Sequence, residues 1–167
     1  MLQIERLTTQ PLTSEELVAV ALGFARTHDG WRHQIQYDET DRYSLLLHAD
    51  DDVDVWLCTW LPGQSTSLHD HGESAGAIAV VSGQLTERRL GRGGRIGRRR
   101  IRAGRSSYVT PAVVHDVANQ KKAPAVSIHA YSPPLSRMSF YHRDGMTALA
   151  RVRTVELMPA HAWDGAT

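Results

Sequence analysis

His69-Asp70-His71 sets two imidazoles at i and i+2. On an extended segment both side chains leave one face, so they can close on a single metal ion. A third histidine, His115, follows in another extended stretch, four residues after Pro111 and four before Asn119. Three imidazoles suit iron, nickel, copper or zinc, and a facial trio leaves positions open for a substrate and oxygen. Three histidines and a water would also describe a Lewis-acid or hydrolytic zinc. A structural zinc takes four protein ligands, and no fourth is evident. The carboxylate of Glu73 is two residues beyond His71 and needs a turn to swing it in. A dication held only by neutral ligands would attract an anion such as a thiolate.

The second group with chemical potential is Ser127, His129 and Tyr131, which alternate along one apolar run. On a strand all three face the same way and can form a hydrogen-bonded relay. A phenol at the end of such a relay can donate a hydrogen bond or take part in proton transfer. The same three residues could equally be inward polar groups that satisfy one another in a barrel core.

These side chains need a frame of strands. Leu12 to Leu17 reads as a helix start, with Thr13 capping, Glu16 completing a capping box and Leu12 stapling onto Leu17. The helix is expected over residues 13–26, with Leu17, Val20, Ala21 and Phe24 on one apolar face against something larger. That larger part is expected to be a β-barrel over residues 43–158. Strand-like runs fall at 43–47, 53–61, 77–81, 84–90, 97–102, 106–109, 113–119, 125–132 and 138–142. Turn residues mark the corners at Asp50 to Asp52, Pro62-Gly63, Ser82-Gly83, Gly91 to Gly94 and Lys121 to Pro124. The expected fold is therefore mainly β, a jelly-roll barrel with a short N-terminal helical segment. It is read as one domain over residues 1–167, with a loose tail from Pro159 to Thr167.

Composition narrows the function classes. A formal charge of +1 gives no general attraction to nucleic acid or anionic membranes. Nine arginines lie between Arg88 and Arg105, but no aromatic side chains for base stacking accompany them. They read as a solvated hairpin, with Arg98, Arg100 and Arg102 alternating outward around Arg99 and Ile101 and a turn at Gly91 to Gly94. Neither a signal peptide nor a membrane span is evident. The single cysteine, Cys58, cannot form an internal disulfide, so a cytoplasmic setting is expected. Small-molecule partners are expected, with no nucleic acid or membrane, and the chain as a monomer or small homo-oligomer.

Gly63, six residues before His69, and Gly83, twelve after His71, resemble the first motif of the cupin superfamily. Gly104, Pro111, His115 and Asn119 resemble the second. The glutamate common in the first motif is replaced by Gly76, seven residues before Gly83. Ser127-x-His129-x-Tyr131 just before Ser132-Pro133-Pro134, downstream of His-Asp-His and a lone histidine, resembles the cysteine dioxygenase family of thiol dioxygenases. The resemblance covers roughly residues 43–141.

It implies that iron(II) is held by His69, His71 and His115 and that a small thiol is oxidised by O2 to its sulfinic acid. It further implies that Ser127 bonds His129, which orients Tyr131. Tyr131 would be unmodified, because Gly76 occupies the position where mammalian-type members carry a cross-linking cysteine. The arginine that grips the substrate carboxylate in cysteine enzymes is replaced by Leu45, which leaves Arg42, Arg137 and Arg143 as substitutes. Arg42 would share the side of its strand taken by Ser44. The substrate is then cysteine or another thiol such as 3-mercaptopropionate. The contrasting reading is a cupin that binds a metal and a small ligand without catalysis.

Overall fold

The computed structural model describes residues 10–144 and 148–157. The side chain of Arg143 and the tail expected from Pro159 to Thr167 lie outside the described residues. Helix α1 (Ser14–Arg26) starts at the expected cap: Thr13 Oγ1 accepts from the amide of Glu16, and Glu16 Oε2 accepts from the amide of Thr13. Its buried stripe is Leu17, Ala21 and Ala25, one residue per turn. Val20 and Phe24 flank the stripe and pack against the same core.

Among the described residues eleven strands follow: β1 (Ser44–Ala49), β2 (Asp54–Trp60), β3 (Leu68–Asp70), β4 (Ala75–Ser82), β5 (Gln84–Leu90), β6 (Ile96–Arg102), β7 (Ser106–Val109), β8 (His115–Ala118), β9 (Ala125–Ser132), β10 (Arg137–Asp144) and β11 (Ala148–Glu156). They form a five-stranded sheet, β1-β2-β9-β4-β7, and a six-stranded sheet, β11-β10-β3-β8-β5-β6. Neighbours in both sheets run antiparallel. The expected jelly roll is this pair of sheets. The strand β11 is an addition to the expected set: it pairs with β10 at the edge of its sheet and leaves Val152 exposed.

Strand alternation explains why the first sheet reads as nearly continuous apolar sequence. Val55 and Leu57 of β2, Ala75, Ala77 and Ala79 of β4, and Val126, Ile128 and Ala130 of β9 share one core cluster with Leu17, Ala21 and Ala25 of α1. Small alanines on both sides let the helix lie close to the sheet. The alternate residues, Cys58, Trp60, Ile78 and Val80, form the barrel interior with Leu85, Ile101 and Val117. Both faces of the sheet are thus covered, and the polar residues of β9 at the inward parity are Ser127, His129 and Tyr131.

The arginine-rich stretch forms the expected hairpin of β5 and β6, with a short 3-10 turn at Arg92–Gly94. Two details differ from expectation. Arg99 is exposed along with Arg98, Arg100 and Arg102, so Ile101 alone anchors β6 inward. Arg88 and Arg89 are not free solvent charges, because they bond Asp116 and Glu87.

Candidate metal centre

His69 lies on β3 and His71 immediately follows that strand. His115 opens β8 directly opposite His69 in the ladder. All three are buried, and among the described residues they are the His, Cys, Asp and Glu side chains able to close on one ion. His71 Nε2 lies 3.1 Å from His69 Nε2 and 3.4 Å from His115 Nε2. Metal–imidazole bonds of about 2.0–2.1 Å put two ligand nitrogens roughly 3.0–3.4 Å apart, so the spacing fits a metal ion.

Tautomers support the fit. His69 Nδ1 donates to the Ser67 carbonyl at 2.8 Å, and His115 Nδ1 donates to Glu87 Oε1 at 2.9 Å. In a neutral imidazole each bond leaves Nε2 with a bare lone pair. Burial, reinforced by neighbouring His115, pushes His69 down to about 3, and burial likewise holds His71 well below the ordinary histidine range. His69 and His71 are therefore uncharged at neutral pH. The remaining carboxylates near the motif face elsewhere. Glu73 is exposed in the turn after His71 and does not swing in. Asp70 accepts from the amide of Gly72 and the Tyr141 hydroxyl, which fixes that turn.

Glu87 is the acid that sequence reasoning missed. It is fully buried at the inward parity of β5. Oε2 accepts from Ser107 Oγ at 2.6 Å and from an Arg89 NH2 group at 2.9 Å, while Oε1 takes His115. Burial alone would raise its pKa, but the bonds from His115, Arg89 and Ser107 outweigh it and hold the carboxyl at about 2. The available signal was parity: Leu85, Glu87 and Arg89 share one face of a strand whose leucine had to be inside.

The three alternating residues of β9 do meet. His129 Nε2 lies 3.0 Å from Ser127 Oγ, and His129 Nδ1 lies 3.4 Å from the Tyr131 hydroxyl. The chain also has an unanticipated first member, since Trp60 Nε1 donates to Ser127 Oγ at 2.9 Å. This donor fixes the direction of the rest. The indole only donates, so the buried Ser127 hydroxyl proton has His129 Nε2 as its acceptor, and the proton of neutral His129 sits on Nδ1 and faces the Tyr131 oxygen. The Tyr131 proton is then left to point into the cavity. Burial, then the Arg42 charge, pushes His129 down to about 3, and burial pushes the Tyr131 phenol above its ordinary value, so both stay neutral. The Tyr131 ring meets the His71 ring edge-on, with centroids 4.8 Å apart.

A cavity of about 180 Å³ joins the histidines to Tyr131, with Trp56, Cys58, Leu135 and Met138 in its wall. Among the described residues of this lining Arg42 carries the fixed charge, and Ser44 lines the cavity with it. Its guanidinium carbon stands 5.6 Å from the Trp60 ring centroid. Leu45 pairs with Leu57 and packs into the helix-facing core, so position 45 does not face the cavity. Arg137 is also displaced from it, lying against Gly72 and lining a separate polar pocket with Asp70 and Arg151.

Residues 1–144 match the sequence model of the family described as Cysteine dioxygenase type I. The chain is 26% identical over 131 residues to cysteine dioxygenase type 1 of Rattus norvegicus, covering 72% of this chain and 65% of the rat protein. It therefore spans a little under two thirds of that relative's length. It is 27% identical over 144 residues to cysteine dioxygenase type 1 of Danio rerio, covering 78% of this chain and 71% of that protein. A conserved protein with a double-stranded β-helix domain from Klebsiella pneumoniae superposes with TM-score 0.53 at 16% identity, over 87% of this chain and 98% of that one. An RmlC-like cupin from Desulfovibrio desulfuricans superposes with TM-score 0.50 at 20% identity, over 60% and 90% of the two chains. The fold is thus a mainly β cupin jelly roll.

Proposed function

Because the chain belongs to the cysteine dioxygenase type I family, we propose that it is an iron(II) thiol dioxygenase that converts cysteine, or a related small thiol carboxylate such as 3-mercaptopropionate, to its sulfinic acid. The observation that carries this reading is one cavity shared by three converging imidazole nitrogens, a neutral phenol and the guanidinium of Arg42.

Iron(II) at His69, His71 and His115 would supply the redox chemistry by which O2 oxidises the sulfur of R–SH to R–SO2H, both oxygen atoms ending on sulfur. The overall change takes up one O2 and needs no external reductant. The residues do the rest by placement. Arg42 presents a fixed cation to the substrate carboxylate and so sets which end of the thiol faces the histidines. The Trp60–Ser127–His129 chain holds the Tyr131 oxygen as acceptor, which leaves the phenolic proton aimed at the reacting atoms. Trp56, Leu135 and Met138 give the cavity apolar walls that limit water and strengthen each polar contact. A cytoplasmic location suits a substrate that must remain a reduced thiol.

The test is oxygen uptake by the iron(II)-loaded protein across a panel of thiols with and without carboxylate and amine, with sulfinate detection. Turnover of at least one thiol carboxylate is expected. Absence of turnover with every thiol overturns the reading and favours a ligand-binding cupin.

A further inference from the structure

The three histidines do not rest on equivalent supports. His69 leans on a neutral carbonyl, that of Ser67, whereas His115 leans on a carboxylate. Register explains how that carboxylate reaches it. Glu87 is paired with Val117 across β5 and β8, and His115 is the diagonal neighbour two residues along β8 on the same inward face. The two oxygens of Glu87 divide their work: Oε2 takes Ser107 and Arg89, and Oε1 takes His115. An ion pair serving only as a strut would be complete with Oε2 alone.

Stability is a poor reason for a carboxylate at this place. Replacing a buried ion pair by well-packed apolar groups of similar volume is often neutral or stabilising. The arrangement makes sense in relation to the neighbouring nitrogens. A divalent ion held by three neutral imidazoles keeps both its charges uncompensated by its ligands, and the buried Glu87 carboxylate is one hydrogen bond away from one of them. A carboxylate accepting from Nδ1 fixes the tautomer, holds the ring plane and makes Nε2 a stronger donor.

Resting on the metal-centre reading above, we propose that Glu87 is a positioning residue for the metal: it orients His115 and supplies, through that ring, negative charge that the ligands themselves lack. Arg89 moderates this charge from the opposite oxygen. Glu87 touches neither substrate nor metal, and it acts only through His115.

The experiment compares the wild-type chain with Glu87→Gln and Arg89→Met. It measures Zn(II) and Fe(II) affinity of the metal-free proteins by chelator competition and the ferric/ferrous midpoint potential of the iron-loaded proteins. Thermal melting of the metal-free forms reports folding separately. Glu87→Gln keeps the shape and an acceptor but removes the charge, and it should weaken affinity about 10- to 100-fold and raise the potential. Arg89→Met breaks the same ion pair yet leaves Glu87 on His115, so affinity should hold or rise and the potential should fall.

A folded Glu87→Gln protein with affinity within about twofold of wild type and an unchanged potential overturns the proposal. Equal weakening in both variants also overturns it, because the pair would then be a strut. If Glu87→Gln does not fold, Arg89→Met decides alone, with weakened affinity as the contrary result. A wild-type chain that binds neither ion overturns the metal centre itself, which separates that failure from failure of the Glu87 assignment.

Discussion

Gly76 packs against the imidazole of His71: a β-carbon built at position 76 would lie 3.2 Å from both Cε1 and Nδ1 of that ring, and also 3.2 Å from Cγ2 of Val109. The glycine sits at the inward parity of β4, opposite Tyr131 in the ladder with β9. The empty space at Gly76 is therefore what allows His71 to lie between the Tyr131 ring and the other two histidines.

Gly76→Ala should displace His71 by a few tenths of an ångström, since Val109 closes the other side. Metal ligation tolerates little such error. The expected result is a metal affinity weakened roughly tenfold, with the melting temperature of the metal-free protein nearly unchanged. Chelator competition checks it. Full wild-type affinity in Gly76→Ala would show that the His71 ring is not constrained from this side.

Arg42→Leu should lower kcat/KM for a thiol carboxylate by about a hundredfold, corresponding to roughly 3 kcal/mol for a lost buried charge contact. Iron content should stay at the wild-type level. Leu45→Arg in that background should restore nothing, because position 45 faces the helix side of the sheet. Rescue by Leu45→Arg would assign the carboxylate site to the other face of β1.

Tyr131→Phe should lower turnover about a hundredfold, the usual scale for a positioned proton donor, with metal content near normal. His115→Ala should lose metal and activity together. Metal analysis alongside oxygen uptake separates the two variants. Unchanged turnover in Tyr131→Phe removes the phenol from the reaction, and full metal retention in His115→Ala removes His115 from the ligand set.

The histidine geometry was legible because strand parity is a local rule: i and i+2 share a face whatever the rest of the chain does. The same rule made Ser127, His129 and Tyr131 readable as one row, and Thr13 with Glu16 readable as a helix start. Glu87 was harder because a charge beside Arg88 and Arg89 resembles a solvated face, and the parity it shares with Leu85 is a weak counter-signal until the partner strands close that face. Trp60 joins the relay from β2 across 67 residues of sequence, a pairing that no local pattern carries. In β1 the run Leu45-Leu46-Leu47 has no alternation, so parity alone could not show that the helix covers position 45. The edge strand β11 mixes arginines with exposed Val152 and thus lacks the apolar face that marked the others.

Asp54 supplies a pH signature independent of the histidines. It pairs with Tyr131 in the β2–β9 ladder and is almost wholly buried. Oδ2 accepts from the Leu135 amide, while Oδ1 has no hydrogen-bond partner among the described residues. Burial raises its carboxyl from 3.8 to about 6, against the weaker pull of the Trp56 indole and of the Leu135 amide. The folded state therefore holds the Asp54 proton to higher pH than the unfolded chain does. Between pH 3.8 and about 6 the folded protein carries the extra proton, so rising pH removes stability across that window. Below it the carboxyl is neutral in both states and costs nothing; above it the full penalty, on the order of 3 kcal/mol, is present. Asp54→Asn cannot titrate. Its stability relative to wild type should therefore improve by roughly that amount from pH 4 to pH 7.5, whatever fixed cost the unpartnered amide imposes at both. Urea unfolding of the metal-free proteins at several pH values measures the difference, and parallel profiles for the two proteins would mean that the buried carboxyl does not resist ionisation.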